Sequence, residues 1–507
     1  MADLSAVLAN AQAGMALALS PDGLKYCFIG VFLGTVVGVL PGIGTMATIA
    51  LLMPLTLWLD PTLGLIMLAG IYYGAAYGGS TAAILLNIPG TANAAVSCLD
   101  GYPMAQQGRA GVALFITTIA SLFGSMAGVV LLVVFAYTVS GVALLFGPQE
   151  YFALILLGLV AVAFMSDAPA ARTYGAIILG ILLGLIGADV NTGAVRFSFG
   201  LRELYDGLSI VAVAIGLFGL PELIRNARDG RINRYAGQKI TFASMLPTRA
   251  DWRQASPAMA RGSGVGAFFG ILPGTGSLIA SFMAYTVERR VSRTPERFGK
   301  GAIEGISAPE AANNAAIQTA FVPTLTLGIP GDAVMALMLG MLLMHGITPG
   351  PSLLQNDPLM FWGLVASFLV GNAILLVLNL PLIGLWIRLV SAPYRYLAPF
   401  ILALVCIGVY IVGYQKLDIL VVMLFGALGL VFFHTRIEPA PVILGFVLGP
   451  MIEEHFRRSL LISRGDFTTF VDRPISGTIL AICALLVVLK LREGWRRRSS
   501  SGAPKDP

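Results

Sequence analysis

Charge is what this chain has least of. Asp, Glu, Lys and Arg make up 11% of its 507 residues, against about 25% in an average soluble protein, which argues against a water-soluble globular domain. Histidine is rarer still: His345, His434 and His455 are all there are, and none stands in the H-E-x-x-H spacing of a zinc hydrolase. Neither G-x-S-x-G nor the Walker G-x-x-x-x-G-K-[ST] occurs. The chain therefore has no serine-hydrolase elbow and no nucleotide cradle with which to hydrolyse ATP. Cysteine is limited to Cys27, Cys98, Cys406 and Cys483, too scattered for a C-x-x-C site or a disulfide framework, and the four read as apolar fillers. Met1 to Ser20 contains no Lys or Arg and carries Asp3, so the basic start of a signal peptide is missing. Residues 1–23 are expected to form an amphipathic helix on the membrane surface.

Apolar residues fill the remaining space, at 57% of the chain with a mean hydropathy of +0.84. A helical span takes ~20 apolar residues, which leaves room for about ten to twelve spans and points to an all-α polytopic membrane protein. The formal charge of +6 is no sign of nucleic-acid binding. Much of the excess sits in a few loops and the C-terminal tail, where basic residues orient a protein in the lipid bilayer. Arg492, Arg496, Arg497, Arg498 and Lys505 place the C-terminus in the cytoplasm on that rule.

One motif occurs twice. Gly34-Thr-Val-Val-Gly38-Val-Leu-Pro41-Gly-Ile-Gly44 and Gly266-Ala-Phe-Phe-Gly270-Ile-Leu-Pro273-Gly-Thr-Gly276 both fit G-x-x-x-G-x-L-P-G-x-G, with their prolines 232 positions apart. Each copy interrupts an apolar run, because proline removes a backbone donor and glycine permits conformations other residues avoid. A second pair of breaks follows: Asn87-Ile-Pro89-Gly90-Thr91 and Gly328-Ile-Pro330-Gly331-Asp332, with prolines 241 apart. Broken backbone at membrane depth is tolerated only where it is buried in protein or lines a wet cavity. Matched breaks in two halves of a chain point to a transporter's binding site.

Charge divides the chain as well. Residues 224–261 carry eight Lys/Arg against Asp229 and Asp251, and this basic cytoplasmic linker separates a first membrane repeat (24–223) from a second (262–473). Residues 474–507 supply a final span and the basic tail. Arg289, Arg290, Arg293, Arg297 and Lys300 follow the second Leu-Pro-Gly segment, whereas the matching positions 57–68 hold no Lys or Arg. If basic loops stay in the cytoplasm, the two hairpins open to opposite faces. The repeats are then inverted, with broken helices or re-entrant hairpins.

A half-helix ending inside the membrane leaves free N–H groups at its N-terminus and free carbonyls at its C-terminus. The first suits a carboxylate and the second Na⁺. Small hydroxyl and amide side chains beside the breaks complete such sites. In the first half these are Thr45, Ser80, Thr81, Asn87, Thr91 and Asn93, around Pro41, Gly42, Gly44, Pro89 and Gly90. In the second they are Thr275, Ser277, Asn313, Asn314 and Thr326, around Pro273, Gly274, Gly276, Pro330 and Gly331. Asn87, Asn313 and Asn314 are the candidate Na⁺ ligands. A kink that merely helps helices pack is the competing reading of any single break.

Glu310, within Ala308-Pro-Glu-Ala-Ala-Asn-Asn-Ala315, and Asp332 are ionisable groups in apolar surroundings, where a charge costs roughly 2.5–3.5 kcal/mol on insertion scales. Both are candidates to coordinate a cation or carry a proton. A cap at the membrane interface is the alternative for Glu310, since Pro309-Glu310 suits a helix start. Asp189 to Gly200 reads as a turn between spans, with Arg196 a candidate counter-charge for an anion, and Asp100 and Arg109 read as loop residues.

Taken together, these segments resemble the large membrane subunit of the tripartite tricarboxylate transporter family, from Leu24 to about Trp495. The likeness rests on the paired Leu-Pro-Gly segments, Asp100-Gly-Tyr-Pro-Met104 with Gly108-Arg-Ala-Gly111, and Phe146-Gly-Pro-Gln-Glu-Tyr151. It continues through Asp189 to Gly200, Glu310 to Ala315, Gly328 to Gly331 and His345-Gly-Ile-Thr-Pro-Gly-Pro351. Gly445-Phe-Val-Leu-Gly-Pro450 and Glu453-Glu-His-Phe-Arg-Arg458 complete it. The resemblance implies a secondary transporter of the bacterial inner membrane for citrate and related carboxylates, coupled to Na⁺ or H⁺, with no cofactor and no enzymatic activity. It also implies two partners, a small four-span membrane subunit and a periplasmic substrate-binding protein. The nearest alternative is a cation-coupled organic-anion transporter that works alone, followed by a channel or an intramembrane enzyme. Replacing Gly42 or Gly274 by leucine is expected to abolish uptake while the protein still reaches the membrane; normal uptake in both variants would remove these breaks from the site.

Overall fold

Proline with a small acceptor before it starts several of the helices. After α1 (Leu4–Ala18), Ser20 opens α2 (Pro21–Val39) by accepting the Gly23 N–H at 3.0 Å, and Pro21 occupies the first helical position, where no donor is needed. Beyond the first break comes α3 (Thr45–Thr56). Asp60 caps α4 (Pro61–Leu86) through the Thr62 N–H at 2.9 Å. Then follow α5 (Ser97–Gln106), the long α6 (Ala110–Ala143), α7 (Pro148–Met165) and α8 (Ala170–Gly184). A short antiparallel hairpin pairs Gly187–Ala188 with Val195–Arg196, and α9 (Ile210–Ala214) runs on into a π-helical turn, Ile215–Gly219.

The second half holds α10 (Arg249–Ile271), α11 (Gly276–Val291), α12 (Glu304–Thr319), α13 (Phe321–Leu327) and α14 (Ala333–Met344). These are followed by α15 (Pro358–Asn379), α16 (Ile383–Val390), α17 (Lys416–Thr435), α18 (Ala440–Ile462) and α19 (Pro474–Ser500). The apolar run 360–390, which fits one kinked span or two short ones by sequence, is divided into α15 and α16 beside Pro381, which lacks the N–H to continue the ladder. The computed structural model describes residues 4–40, 44–143, 146–166, 168–189, 193–221, 224, 240–272, 276–351, 353–390, 399, 415–435 and 437–500. Arg225, Arg228, Arg231, Arg234 and Lys239 of the basic linker, and Cys406, lie outside the described residues.

Five described helices are long and apolar enough to cross a membrane: α2, α6 over Ala110–Val139, α15, α17, and α19 over Pro474–Arg492. Shorter apolar helices accompany them, among them α3, α7, α8 and α14. The fold is that of an all-α polytopic membrane protein. Its polar exceptions are tied down. Lys490 of α19 is 7% exposed and donates to the carbonyls of Phe164 and Ser166 at 3.2 and 2.5 Å, satisfying acceptors left open at the C-terminal end of α7.

The tightest packing is made by glycine. A Cβ built on Gly30, Gly34 or Gly38 of α2 would stand 2.4, 2.4 or 2.2 Å from the carbonyl oxygens of Met67, Ile71 and Ala75 on α4. On α10, a Cβ at Gly262, Gly266 or Gly270 would stand 2.2, 2.1 or 2.5 Å from those of Ala308, Ala312 and Ala316 on α12. The two sets of glycines are 232 positions apart and the two sets of acceptors 241, the same offsets as the two pairs of breaks. Small residues at four-residue spacing let helix backbones touch without water to drive them together, and close Cα–H to carbonyl contacts accompany such approach.

Gly34→Leu and Gly266→Leu are each expected to destabilise the detergent-solubilised protein by the upper end of the roughly 1–3 kcal/mol typical of overpacking, or more. Gly264→Ala, where a Cβ meets nothing within 4 Å, should leave the melting temperature unchanged or slightly raised. Equal melting of all three variants in a thermal-shift assay would contradict the backbone contacts.

Candidate functional site

The four breaks use two backbone solutions. Gly44 and Gly276, which close the two Leu-Pro-Gly segments, have φ of 74° and 65° and start α3 and α11. Asn87 and Gly328 end α4 and α13 at φ of 57° and 68°. Glycine takes this left-handed region without strain and asparagine is among the few others that visit it. The remaining break residues Pro41, Gly42, Pro273, Gly274 and Thr275 lie outside the described residues.

Asn93, in the 3₁₀ turn Ala92–Val96 that follows the second break, joins the two halves. Its Nδ2 donates to Asn313 Oδ1 on α12 at 2.6 Å and to Ser277 Oγ at the start of α11 at 3.2 Å. Ser277 lies beside the Tyr72 hydroxyl of α4, and Tyr72 donates to the Asp332 carboxylate. Asp332 also caps α14, accepting the Met335 N–H at 2.9 Å. Gly276 lies alongside, since a Cβ there would be in van der Waals contact with the Asp332 Cβ at 3.4 Å. One connected set thus draws on the second break of each half and on the helix that leaves the second Leu-Pro-Gly segment.

Glu310 stands three residues before Asn313 on α12 and is 1% exposed. Ser97 of α5 donates to its Oε1 at 2.5 Å and Ser121 of α6 to its Oε2 at 3.5 Å, with Ser80 of α4 alongside. The interfacial-cap reading fails here. Helix α12 begins at Glu304, so Glu310 lies two turns inside it and is enclosed by three other helices. Neither Glu310 nor Asp332 forms an ion pair among the described residues. Hydroxyls and amides can solvate a bound cation together with a carboxylate, or hold a carboxyl in either protonation state.

The other expected residues take varied places. Thr81 is buried on α4, and Thr91 packs against Gly79, whose Cβ would stand 2.4 Å from the Thr91 Oγ1. Gly90 sits on the Gly38 carbonyl, Pro330 and Gly331 are buried, and Gly44 and Thr45 are half-buried at the start of α3. The Thr326 hydroxyl is spent on the Val322 carbonyl at 2.7 Å. Asn87 and Pro89 are exposed, whereas Asn313 and Asn314 are 0% exposed, so the three candidate Na⁺ ligands do not share one environment.

Two residues read as loop positions have fixed structural roles. Asp100 belongs to α5 and is 0% exposed; its Oδ1 accepts from the N–H groups of Gly299, Gly301 and Ala302 at 2.8–2.9 Å, and its Oδ2 from the Tyr285 hydroxyl at 3.0 Å. Arg109 pairs with Asp251 at 2.6 Å. The segment from Asp189 to Gly200 follows the first strand of the β-hairpin and carries the second, and Arg196 is held by Glu453 at 2.7 Å and Asp189 at 3.1 Å. Tyr72, Ser97 and Ser121 escaped the sequence reading because nothing near them in the chain marks them, and their carboxylate partners lie some 190–260 positions away.

Broken helices and carboxylates without an ion pair among the described residues, inside an apolar bundle, define a class: multi-pass membrane proteins of the transporter kind. The family model "Tripartite tricarboxylate transporter TctA family" matches residues 24–444, and the chain belongs to this family. It is 46% identical over 492 residues to an uncharacterized 52.8 kDa protein in the TAR-I ttuC′ 3′ region of Agrobacterium vitis, covering 97% of this chain and 98% of that one. An uncharacterized protein in the TAR-II ttuC′ 3′ region of the same organism is 49% identical over 233 residues, 46% of this chain and 96% of its own length. No solved structure matches the chain.

Asn93→Ala removes both hydrogen bonds of the bridge at a site that is only partly buried. Apparent substrate affinity in proteoliposome uptake is expected to fall about ten- to a hundredfold, from the roughly 0.5–1.5 kcal/mol of each bond. The melting temperature should move by only a few degrees; an unchanged apparent KM would take the bridge out of substrate binding.

Proposed function

We propose that this chain is the large transmembrane subunit of a binding-protein-dependent secondary transporter that imports tricarboxylates or related carboxylates, driven by a Na⁺ or H⁺ gradient. The observation that carries the reading is the bridge from Asn93 to Ser277 and Asn313, set between Glu310 and Asp332. Helix starts at Thr45 and Ser277 offer N–H groups to a carboxylate, and the two acidic side chains offer charge to a cation. A carboxylate and a cation binding side by side neutralise one another, which lowers the cost of carrying either through an apolar bundle.

The two halves work as inverted repeats in this reading, and the Leu-Pro-Gly segments serve as gates on opposite faces. The common offsets of breaks and glycine contacts support the repeat, and the basic loops support the inversion. On the same charge rule the C-terminus lies in the cytoplasm, and family membership supports the bacterial inner membrane as its location. Family membership supports a tripartite assembly, here a small four-span subunit beside this chain and a periplasmic protein that delivers the carboxylate.

Vesicles containing this chain and its membrane partner, given the cognate binding protein, a panel of mono-, di- and tricarboxylates, and imposed Na⁺ or proton gradients, test the whole reading. Saturable uptake that needs the binding protein and collapses without one ion gradient is expected. Undiminished uptake without the binding protein would favour a stand-alone carrier, and non-saturating, gradient-independent flux would favour a channel. Glu310→Gln is expected to alter the ion dependence of uptake; unchanged Na⁺ and pH profiles would remove Glu310 from coupling.

A further inference from the structure

A second group of polar side chains continues along α12 from Glu310. Glu310, Asn314 and Gln318 follow at four-residue spacing and so lie along one face of the helix. Asn314 and Gln318 are both 0% exposed. Helix α6 runs alongside in the same direction, with Gly124 against Ala311 and Gly128 against Ala315 and Gln318. Ser125, also 0% exposed, stands between those two levels and lies beside the Tyr77 hydroxyl of α4. Tyr77 in turn donates to Asn372 Oδ1 of α15 at 2.7 Å. Four helices therefore meet around neutral oxygen atoms.

The hydrogen bonds here do not close. Asn314 Oδ1 and both polar atoms of the Gln318 amide have no hydrogen-bond partner among the described residues, and Ser125 Oγ has the Tyr77 hydroxyl as its one neighbour. An unpaired buried polar group costs roughly 1–3 kcal/mol. Two of these atoms, Asn314 Oδ1 and Gln318 Oε1, are acceptors one helical turn apart, and leaving both unfilled is a large cost without a ligand. Apolar side chains of similar size would fill the same space without it.

We infer that this junction is a binding site for a monovalent metal cation of the Na⁺ class, held by side-chain oxygens of Asn314, Gln318 and Ser125, with the Glu310 carboxylate one turn away as counter-charge. Neutral oxygen ligands suit a hard cation, and no group of three His, Cys, Asp or Glu capable of holding a transition metal occurs among the described residues. A single carboxylate balances a single positive charge; a divalent ion would leave net charge buried in a low-dielectric site. The inference rests on the reading of cation-coupled transport and deepens it, because its ligands on α12 begin at the residue after Asn313 of the Asn93 bridge and so lie within about one and a half turns of it. An ion there stiffens the helix that carries Asn313, which gives ion and carboxylate a common element to act on.

The test uses the purified full-length protein in detergent without carboxylate, melted in NaCl or choline chloride at equal ionic strength. A Na⁺-dependent, saturable rise in melting temperature is expected. Gln318→Leu and Ser125→Ala should each raise the half-saturating Na⁺ concentration at least tenfold, while Gly264→Ala, where a Cβ meets nothing within 4 Å, keeps the wild-type response. If Gln318→Leu does not fold, Gln318→Met and Ser125→Ala carry the comparison. Identical melting of the wild type in Na⁺ and choline, as a water-filled junction would give, overturns the site. So does a Na⁺ response that survives unchanged in the Gln318 and Ser125 variants. Carboxylate uptake read in parallel separates the two claims: uptake without a Na⁺ response sinks the site alone, and a Na⁺ response without uptake sinks the transport reading alone.

Discussion

Contact between helix backbones is the constraint on which the rest of this structure depends. Helices α2 and α4, and again α10 and α12, approach so closely that a single methyl group on any of six glycines would overlap a carbonyl oxygen. In an apolar solvent, burying leucine against leucine gains little, so association relies on such close packing. The approach also fixes the breaks. Gly90 sits directly on the carbonyl of Gly38, with no space for a Cβ between them. The chain after α4 thus turns away at one place, and that turn carries Asn93 to the opposite half.

Charges are treated differently at the edge and at the centre. Toward helix ends, buried acids meet arginine: Glu150 with Arg473 at 2.8 Å, Glu288 with Arg261 at 2.5 Å, Asp251 with Arg109 at 2.6 Å. Such pairs repay desolvation by direct attraction when the geometry is good. Among the described residues, Glu310 and Asp332 have only hydroxyl, amide and backbone partners. Under the proposed function, the charge of these two acids would be balanced by the bound cation.

How much of this was legible depended on whether the signal was local. Proline and glycine act on their own backbone, so all four breaks could be located, and the left-handed conformations of Asn87 and Gly328 fit the turn chemistry read there. Glu310 was noticed because an acid in an apolar run is conspicuous, but its place two turns inside α12 was not, since Pro309 suggests a helix start. Asp100 was misjudged for a related reason. Its polar neighbours look like a loop, and only the fold brings the N–H groups of Gly299, Gly301 and Ala302 around its carboxylate.

By itself the sequence determined the membrane-spanning class, the two matched pairs of breaks and the family, because each rests on residue type and spacing along the chain. Tertiary structure decided which polar residues meet. Tyr72 with Asp332, Asn93 with Ser277 and Asn313, and Ser97 with Glu310 are all distant pairs. A serine or tyrosine in an apolar helix looks the same whether it bonds its own backbone or a carboxylate on another helix. The difference lies in which face of the helix turns inward and which turn stands level with it. Those are properties of packing, set here by where the glycines let the backbones touch.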